Sequence, residues 1–296
     1  HGHLLDYIDT LDPSNTRRFA FCLLTHAHHD HYACLDEFIR RHDHRVEEYW
    51  FSFTDTSDIA ALAALKTAAT KRVRGGRRGR LLVQDEPDAR LRTLEPGVTV
   101  ATFAPNTVEV LRPPGEGGSA AENNRSVVLL VRHGRASAIL GADAEAERWT
   151  RIRQQATRSG ISLRADLVKA PHHGAVSAAG VPPELWPELL ASPESFVALS
   201  VGRRAGKPAA ETIAALRGRS RVRCTGRSST CRLLTTSGGT GSGTSVTDLV
   251  SLALVPAPEA MPARPCFGTQ VYELDPAGSI SLAAANQPAF LDACLV

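Results

Sequence analysis

Histidine and aspartate side chains are concentrated in one short segment near the start of the chain. Thr25 is followed by His26-Ala27-His28-His29-Asp30-His31. The apolar residues 19–24 precede this segment and predict a buried strand, so the segment would form the loop at the end of that strand. Imidazole nitrogens and carboxylate oxygens are ligands that zinc and similar divalent ions prefer. We therefore expect a metal site at His26, His28, Asp30 and His31, the alternative being a surface histidine tract that scavenges metal.

Asp143 is a further acidic candidate. It follows the apolar run 138–140, which predicts that it too lies at the end of a strand. Taken alone, Asp143 fits an N-cap for the helix predicted over residues 144–158. The histidine segment favours the other interpretation, in which a two-metal site uses this carboxylate as a ligand.

Two more imidazoles follow another predicted strand, residues 165–170. The sequence continues as Pro171-His172-His173-Gly174, in which the glycine allows a sharp turn. Adjacent histidines point to different sides, so one could bind a metal while the other protonates a leaving group. The alternative is an ordinary polar loop.

In combination, these segments resemble the metallo-β-lactamase superfamily, whose metal loop has the spacing H-x-H-x-D-H. Within that superfamily they are similar to the hydrolase domain of the bacterial DNA-uptake channel protein, a presumed nuclease, and to soluble relatives such as phosphorylcholine esterases. The resemblance covers residues 4–226 and adds three further segments, which are Glu122-Asn123-Asn124-Arg125-Ser126-Val127-Val128-Leu129, Lys169-Ala170-Pro171-His172-His173-Gly174 and Leu199-Ser200-Val201-Gly202.

The resemblance implies a fold and a set of metal ligands. The fold would be an α/β metallo-β-lactamase αββα sandwich, in which two packed mixed sheets have helices outside. Two divalent ions would be bound, zinc first and manganese or magnesium as alternatives. His26 and His28 would hold one ion, Asp30 and His31 would hold the other with His172 or His173, and Asp143 would bridge.

The chain departs from the family pattern in three places. Gly206-Lys207-Pro208 stands where these relatives have Gly-His-Pro, and Asn123 and Asn124 occupy the region of a mid-chain metal histidine. The family's opening strands, with their own aspartate, would lie before Leu4. We expect those strands to be supplied by an upstream stretch, a cleaved segment or a partner chain.

The expected function is metal-dependent hydrolysis of phosphodiesters by a nuclease acting on DNA. A hydroxide activated by two metals would attack phosphorus, assisted by Asp30 at the metal site. Arg125, Lys207 or Asn123 would stabilise the developing charge, and His172 or His173 would protonate the leaving oxygen. The alternatives are a small-molecule hydrolase (phosphorylcholine esterase, lactonase or thioester hydrolase) and a metal-stabilised binding module.

A basic segment, residues 71–80, favours a nucleic acid as the substrate. Six of its ten residues carry positive charge, which suits contacts to successive phosphates. A solvated loop is the alternative interpretation. The proposed phosphate-binding residues are Lys71, Arg72, Arg74, Arg77, Arg78 and Arg80.

Composition sets broader limits. The chain has 296 residues, 43% of them hydrophobic, and a formal net charge of +3. No run of 18 apolar residues exists, so we expect no membrane span. The six cysteines form no C-x-x-C pair, which favours free thiols in a reducing cytoplasm. We expect a single domain over residues 1–296, with a flexible loop at 237–245.

Strands and helices are predicted to be interspersed along the chain. The expected strands are 19–24, 46–53, 91–94, 98–103, 107–111, 126–131, 136–140, 165–170, 196–201, 221–224, 246–255 and 268–273. The expected helices are 32–41, 56–70, 144–158, 208–217 and 288–295.

Overall fold

Strands and helices are interspersed throughout the part of the chain that the computed structural model describes. That part comprises residues 5, 8–9, 12–53, 60–73, 76–85, 90–112, 118–176, 181–200, 207–224, 272–277 and 280–282. Its strands are β1 (Phe19–Leu24), β2 (Val46–Phe51), β3 (Arg72–Val73), β4 (Gly76–Arg77), β5 (Gly79–Leu81), β6 (Arg90–Glu95), β7 (Val98–Phe103), β8 (Val128–His133), β9 (Ala136–Leu140), β10 (Leu167–Lys169), β11 (Phe196–Leu199), β12 (Arg221–Cys224), β13 (Tyr272–Leu274) and β14 (Ile280–Leu282). Its α-helices are α1 (His29–Tyr32), α2 (Leu35–His42), α3 (Ala60–Thr70), α4 (Thr107–Leu111), α5 (Gly118–Asn123), α6 (Ala146–Arg158), α7 (Trp186–Leu189) and α8 (Ala210–Leu216).

Two main sheets organise these strands. One has three parallel strands in the order β1-β2-β5. The other is a mixed sheet of seven strands in the order β12-β11-β10-β9-β8-β7-β6, in which β9 to β12 pair in parallel. The prediction of a mixed α/β fold with two sheets and helices is confirmed. Within the described residues β1 is an edge strand of its sheet, so the predicted opening strands and the specific sandwich stay predictions.

Backbone contacts divide the chain into two compact units. The first comprises His1–Pro96, Val100–Leu129 and Ala142–Ile161, and the second comprises Gly97–Thr99, Leu130–Gly141 and Ser162–Val296. This division does not decide between one domain and two, so the single domain stays a prediction.

The core of the first unit lies between the three-stranded sheet and its connecting helices. Helix α3 is rich in alanine and leucine, which have high helix propensity, and it buries Leu62 and Leu65. These side chains pack with Leu24 of β1 and Tyr49 of β2 in one apolar cluster. Because β1 is anchored in this core, the loop that follows it has a fixed starting point.

The second unit is built around parallel strands with buried apolar side chains. Ala138, Leu167 and Phe196, from β9, β10 and β11, form its apolar cluster. Strands buried in a parallel sheet tend to have continuous apolar sequences, as β11 does. The Pro171–Gly174 turn follows β10 directly.

One element has a different type from the sequence prediction. Residues 107–111 form helix α4, so the predicted strand was wrong. Asn106 accepts a hydrogen bond from the Glu109 backbone N–H, and Glu109 accepts one from the Asn106 backbone N–H. The capping box is recognisable in the sequence as Asn-x-x-Glu. The strand was predicted instead because Thr107 and Val108 are β-branched, and β-branched residues favour strands.

Two other segments, for which the sequence predicted neither a strand nor a helix, contain regular structure. The basic segment includes a short β3–β4 hairpin and most of β5, which pairs with β2. Helix α5 lies between the elements predicted at 107–111 and 126–131. The flexible loop at 237–245, the strand at 246–255 and the helix at 288–295 lie outside the described residues.

Among the described residues, no helix combines the length and the apolar character needed to cross a membrane. Cys22 and Cys34 are free thiols. Burial raises the pKa of Cys22 to about 12, which keeps it protonated, as expected for a cysteine packed in a core strand.

Candidate metal centre

The histidine loop begins where β1 ends. His26 is fully buried, while His28 and His31 are partly exposed and Asp30 is exposed at the start of the short helix α1. A strand end followed at once by a helical turn brings alternate residues of the loop back towards one another. The burial gradient gives the cluster a closed side at His26 and an open side at Asp30.

One set of donor atoms comes from His26, His28 and Asp143. Nε2 of His26 lies 3.2 Å from Nδ1 of His28. One ligand atom from each of the three residues lies within 4.8 Å of the other two. Three such atoms at this spacing can be ligands of the same ion, because metal–ligand bonds of about 2.0–2.2 Å place neighbouring donors some 3–4 Å apart.

A second set uses the same aspartate. Asp30, His31 and Asp143 also offer ligand atoms within 4.8 Å of one another. Nε2 of His31 lies 3.3 Å from Oδ1 of Asp143. Asp143 is 3% exposed and is the only residue common to the two sets. The five residues predicted as ligands in this unit are therefore brought together.

Hydroxyl groups orient two of the imidazoles. Thr25 Oγ1 lies 3.2 Å from Nδ1 of His26 and 3.3 Å from Nδ1 of His31. Ser126 Oγ lies 3.3 Å from the same nitrogen of His26. When Nδ1 donates its proton to a hydroxyl, the Nε2 lone pair is left for the cluster, which is a recurrent arrangement around metal-binding histidines.

Residues on the segment 122–126 brace the histidine loop. The Ala27 backbone N–H donates to Oε1 of Glu122 at 3.0 Å, and Glu122 forms a buried ion pair with Arg125. The Ser126 hydroxyl also accepts a hydrogen bond from the Asp143 backbone N–H at 3.2 Å. Sequence reasoning assigned no role to Glu122 or Ser126. The only available signal was that both belong to the segment that carries the family resemblance.

Asp143 is presented by a strained turn. Ala142, directly before it, has φ of +46°, a left-handed conformation that costs an L-residue roughly 1–2 kcal/mol. Ala142 and Asp143 are both buried, so the surrounding packing holds this conformation. Strain of this kind concentrates at functional sites, where it fixes the direction of a side chain.

The donor set fits divalent metal ions. Burial, and next the nearby His31, lowers the pKa of His26 well below its usual value, which favours the neutral imidazole that binds metal. Imidazoles with carboxylates form the mixed N/O sets that zinc and manganese accept. The chemistry of these residues is thus compatible with the predicted ions, and it sets neither their identity nor their number.

Two predicted catalytic side chains have structural partners. Asn123 is 1% exposed, and its Nδ2 donates to Oε1 of Glu145 at 2.6 Å. Arg125 is also 1% exposed; it pairs with Glu122 and donates to the carbonyl oxygen of Arg112. These contacts support the loop that carries the metal ligands. Direct stabilisation of charge on a substrate by either residue stays a prediction.

His172 and His173 belong to the second unit. Both have positive φ, +45° and +58°, in the turn that ends at Gly174. Nδ1 of His173 donates to the carbonyl oxygen of Ser200 at 2.7 Å, which leaves the Nε2 lone pair for a metal or a proton. A Cβ at position 174 would lie only 2.9 Å from atoms of Leu199 and Pro208, so the packing here requires glycine. The predicted roles of His172, His173 and the partly exposed Lys207 stay predictions.

Some cations of the basic segment are exposed, whereas Arg78 is buried in an ion pair. Lys71 and Arg80 are exposed, although Nζ of Lys71 lies 2.6 Å from a carboxylate oxygen of Asp43. Arg78 is 6% exposed; it binds the same carboxylate at 2.8 Å and donates to the Val46 carbonyl. Arg78 thus ties the hairpin to β2 and is withdrawn from the surface. Only the backbone of Arg72 and Arg77 is described, and Arg74 lies outside the described residues.

No protein-family model matches this sequence, and a search of curated proteins finds no significant match. The resemblance to metallo-β-lactamase hydrolases accordingly rests on the motifs in the chain itself.

Proposed function

We propose that this protein is a metal-dependent phosphodiester hydrolase of the metallo-β-lactamase type, and that its substrate is DNA. One observation carries the proposal: two donor sets, His26-His28-Asp143 and Asp30-His31-Asp143, share the carboxylate of Asp143. A shared, buried carboxylate is what a pair of adjacent cations requires, because a bridging anion offsets their mutual repulsion.

The charge balance of the cluster supports an anionic substrate. Metal-binding imidazoles are neutral, so the five ligands contribute two negative charges, from Asp30 and Asp143. Two divalent ions would leave a net charge of about +2 at the site. A phosphodiester carries one negative charge and would be attracted to it.

The uneven burial of the ligands supports catalysis over a purely structural role. Structural zinc sites are closed by four protein ligands, whereas catalytic sites keep a position open. His26 and Asp143 close one side, and the exposed Asp30 leaves the other side accessible. The alternative of a metal-stabilised binding module has no such need for an open side.

The chain's own residues would act by holding and orienting. Bound divalent ions would supply Lewis acidity towards a phosphoryl oxygen and would activate water. Thr25 and Ser126 fix the imidazole of His26, and Glu122 fixes the loop through the Ala27 N–H. Such fixed ligands lose little freedom during the reaction, which is the basis of preorganised catalysis.

DNA is proposed as the substrate because of the exposed charge at Lys71 and Arg80. A small-molecule hydrolase is the second candidate, and it is favoured by the pairing of Lys71 and Arg78 with Asp43. That pairing reduces the charge that the basic segment can offer to a polyanion.

The test is hydrolysis by the purified chain with Zn²⁺, Mn²⁺ or Mg²⁺ added separately. Supercoiled plasmid, single-stranded DNA, RNA, bis(p-nitrophenyl) phosphate, p-nitrophenyl phosphorylcholine, a lactone and a thioester would be compared. We expect cleavage of DNA and of the model diester. Turnover of the lactone or thioester alone would overturn the phosphodiesterase proposal, and turnover of small diesters without DNA would favour the second candidate.

Matched variants separate this site from a contaminating nuclease. Asp143→Asn should reduce turnover by about 10³-fold or more, because it removes the carboxylate that both donor sets use. His44→Ala changes an exposed imidazole outside the cluster and should leave turnover unchanged. Equal loss in both variants, or in neither, would contradict the assignment.

A further inference from the structure

A polar cavity in the first unit is lined by none of the proposed metal ligands. Its volume is about 210 Å³. Helix α6 forms one wall, and the start of α4 and the segment after β5 form the others. The cavity is lined by Gln84, Asp85, Asn106, Glu109, Arg148, Arg151, Gln154, Gln155 and Arg158. No metal ligand is among them, so the cavity needs an explanation of its own.

The two carboxylates that line this cavity are already bound to protein groups. Glu109 pairs with Arg151 and accepts a hydrogen bond from the Asn106 backbone N–H at 2.8 Å. Asp85 accepts hydrogen bonds from the backbone N–H and hydroxyl of Thr107. They therefore neutralise one of the three arginines of the lining and cap helix α4.

Arg148 is the most unusual residue of the lining. It is 1% exposed, and its Nη2 atom has no hydrogen-bond partner among the residues that the structure describes. Its Nε makes one long contact, 3.4 Å, to the carbonyl oxygen of Ser126. A buried guanidinium with unmet donors is costly to keep unless an anion completes its surroundings.

The environment of Arg148 is electrostatically incomplete. Burial lowers the pKa of Arg148 to about 10, and the attraction of Glu109 only partly offsets this effect. The group stays protonated near neutral pH. Gln155 lies further along α6 and is also buried. Its Oε1 atom has no hydrogen-bond partner among the described residues. Two polar groups of the same lining thus have unused hydrogen-bonding capacity.

Arg158 adds a second cation at the solvent side. Its exposed side chain has no carboxylate partner in the described part of the chain. Arginine forks match the geometry of phosphate and other tetrahedral oxyanions, and such charge-assisted hydrogen bonds are among the strongest. The cavity is smaller than the sites of drug-sized ligands, so it fits one phosphoryl group and little more.

We propose that this cavity is a binding site for a phosphoryl oxyanion, held by Arg148 in its interior and by Arg158 at its mouth. The amide of Gln155 contacts the same group, in whichever orientation suits the oxygen facing it. The ligand is free phosphate or the terminal phosphate of a phosphomonoester. The site does not depend on the proposed hydrolase activity, since none of its residues is a metal ligand.

Isothermal titration calorimetry on the full chain tests this proposal. The protein would be stripped of metal by a chelator that is then removed, and titrated with inorganic phosphate or with a nucleoside 5′-monophosphate, at constant ionic strength in chloride. We expect one equivalent of phosphate to bind. Tighter binding of the monophosphate would identify the phosphomonoester as the source, and equal or weaker binding would identify free phosphate.

The variants locate the bound anion. Arg158→Gln, at an exposed position, should weaken binding about tenfold or more, and Arg148→Gln should abolish it. Arg164→Gln, an exposed arginine outside the cavity, is the matched control and should bind as the wild type does. Asp143→Asn should also retain binding, because it alters only the metal cluster.

Three results would overturn the proposal: no heat beyond that of dilution, binding unaffected by Arg158→Gln, or binding lost in Asp143→Asn. If Arg148→Gln fails to fold by circular dichroism, Arg158→Gln and Gln155→Leu decide the question, since both retain the buried guanidinium.

Discussion

Nε2 of His31 lies 3.3 Å from Oδ1 of Asp143, which joins the loop after β1 to the turn after β9. A second link between the same regions runs through Ser126, whose hydroxyl contacts both His26 and the Asp143 backbone. The proposed metal ligands are therefore held by contacts within the protein itself.

Removing the shared carboxylate should affect both proposed ions. In Asp143→Asn we expect bound zinc to fall from about two equivalents per chain to below one, because both donor sets lose a charged ligand. Inductively coupled plasma mass spectrometry after dialysis measures this quantity. His44→Ala is the control and should keep the wild-type metal content. Retention of two equivalents in Asp143→Asn would remove Asp143 from the site.

Ser126 should matter for metal affinity even though it is not a ligand. Ser126→Ala removes the hydroxyl near His26 Nδ1 and the acceptor for the Asp143 N–H, so zinc affinity should fall about 10–100-fold. Competition with a chromophoric chelator measures the change. Ser137→Ala, which removes a serine hydroxyl bonded to Asp166, is the matched control. Equal affinities in the two variants would show that Ser126 only supports packing.

Ala142→Gly should stabilise the protein. The residue has φ of +46°, and glycine adopts this conformation without the steric cost that alanine meets. After the greater chain entropy of glycine is subtracted, we expect a gain of roughly 0.5–1 kcal/mol in the free energy of unfolding. Ala144→Gly, at a buried neighbour without positive φ, should instead be destabilising. Urea denaturation of both variants measures the free energy of unfolding. A loss of stability in Ala142→Gly would show that the backbone of Ala142 is not strained.

The cations of the basic segment should contribute to DNA affinity through charge. Replacing Arg72, Arg77 and Arg80 with glutamine should weaken binding and reduce the salt dependence of affinity by roughly one log–log unit per lost phosphate contact. Fluorescence anisotropy at several salt concentrations measures the slope. The same change at Arg132, Arg135 and Arg164 is the control. A slope that is the same in the variant and the wild type would assign the segment to folding alone.

Asp12 should make stability depend on pH. The hydrogen bond from Ser14 is the largest cause that lowers the pKa of Asp12, and the Arg17 N–H and Arg45 act in the same direction. Because the folded pKa is below the unfolded value of about 3.9, this stabilisation is complete above that pH and is lost as the pH falls further. Asp12→Asn should therefore reduce stability at pH 7 and flatten its decline in acid. Asp36→Asn, at an exposed helix position, is the control, and parallel pH profiles for wild type and Asp12→Asn would contradict the prediction.

The sequence was sufficient to predict the elements that carry a strong local signal. The apolar runs at 19–24 and 98–103 are strands with the predicted bounds, and the alanine-rich helix ends at Thr70 as expected. The sequence also predicted the candidate metal ligands of the His26 loop and Asp143, since each group follows an apolar strand. By contrast, the strand predicted at 107–111 was wrong, because β-branched residues suggested one structure while the Asn106–Glu109 capping box stabilised another.

Long-range contacts decided the rest. Residue types alone made Arg78 a phosphate-binding candidate, but its burial against Asp43 depends on how β5 pairs with β2. Glu122 and Ser126 show no local sign that they brace the histidine loop, and the unmet donors of Arg148 arise only from packing. The sequence by itself determined which chemical groups are available and the local conformation of the segments that carry them. Only the tertiary structure decided which groups meet and which are buried, because both depend on contacts between residues far apart in the chain.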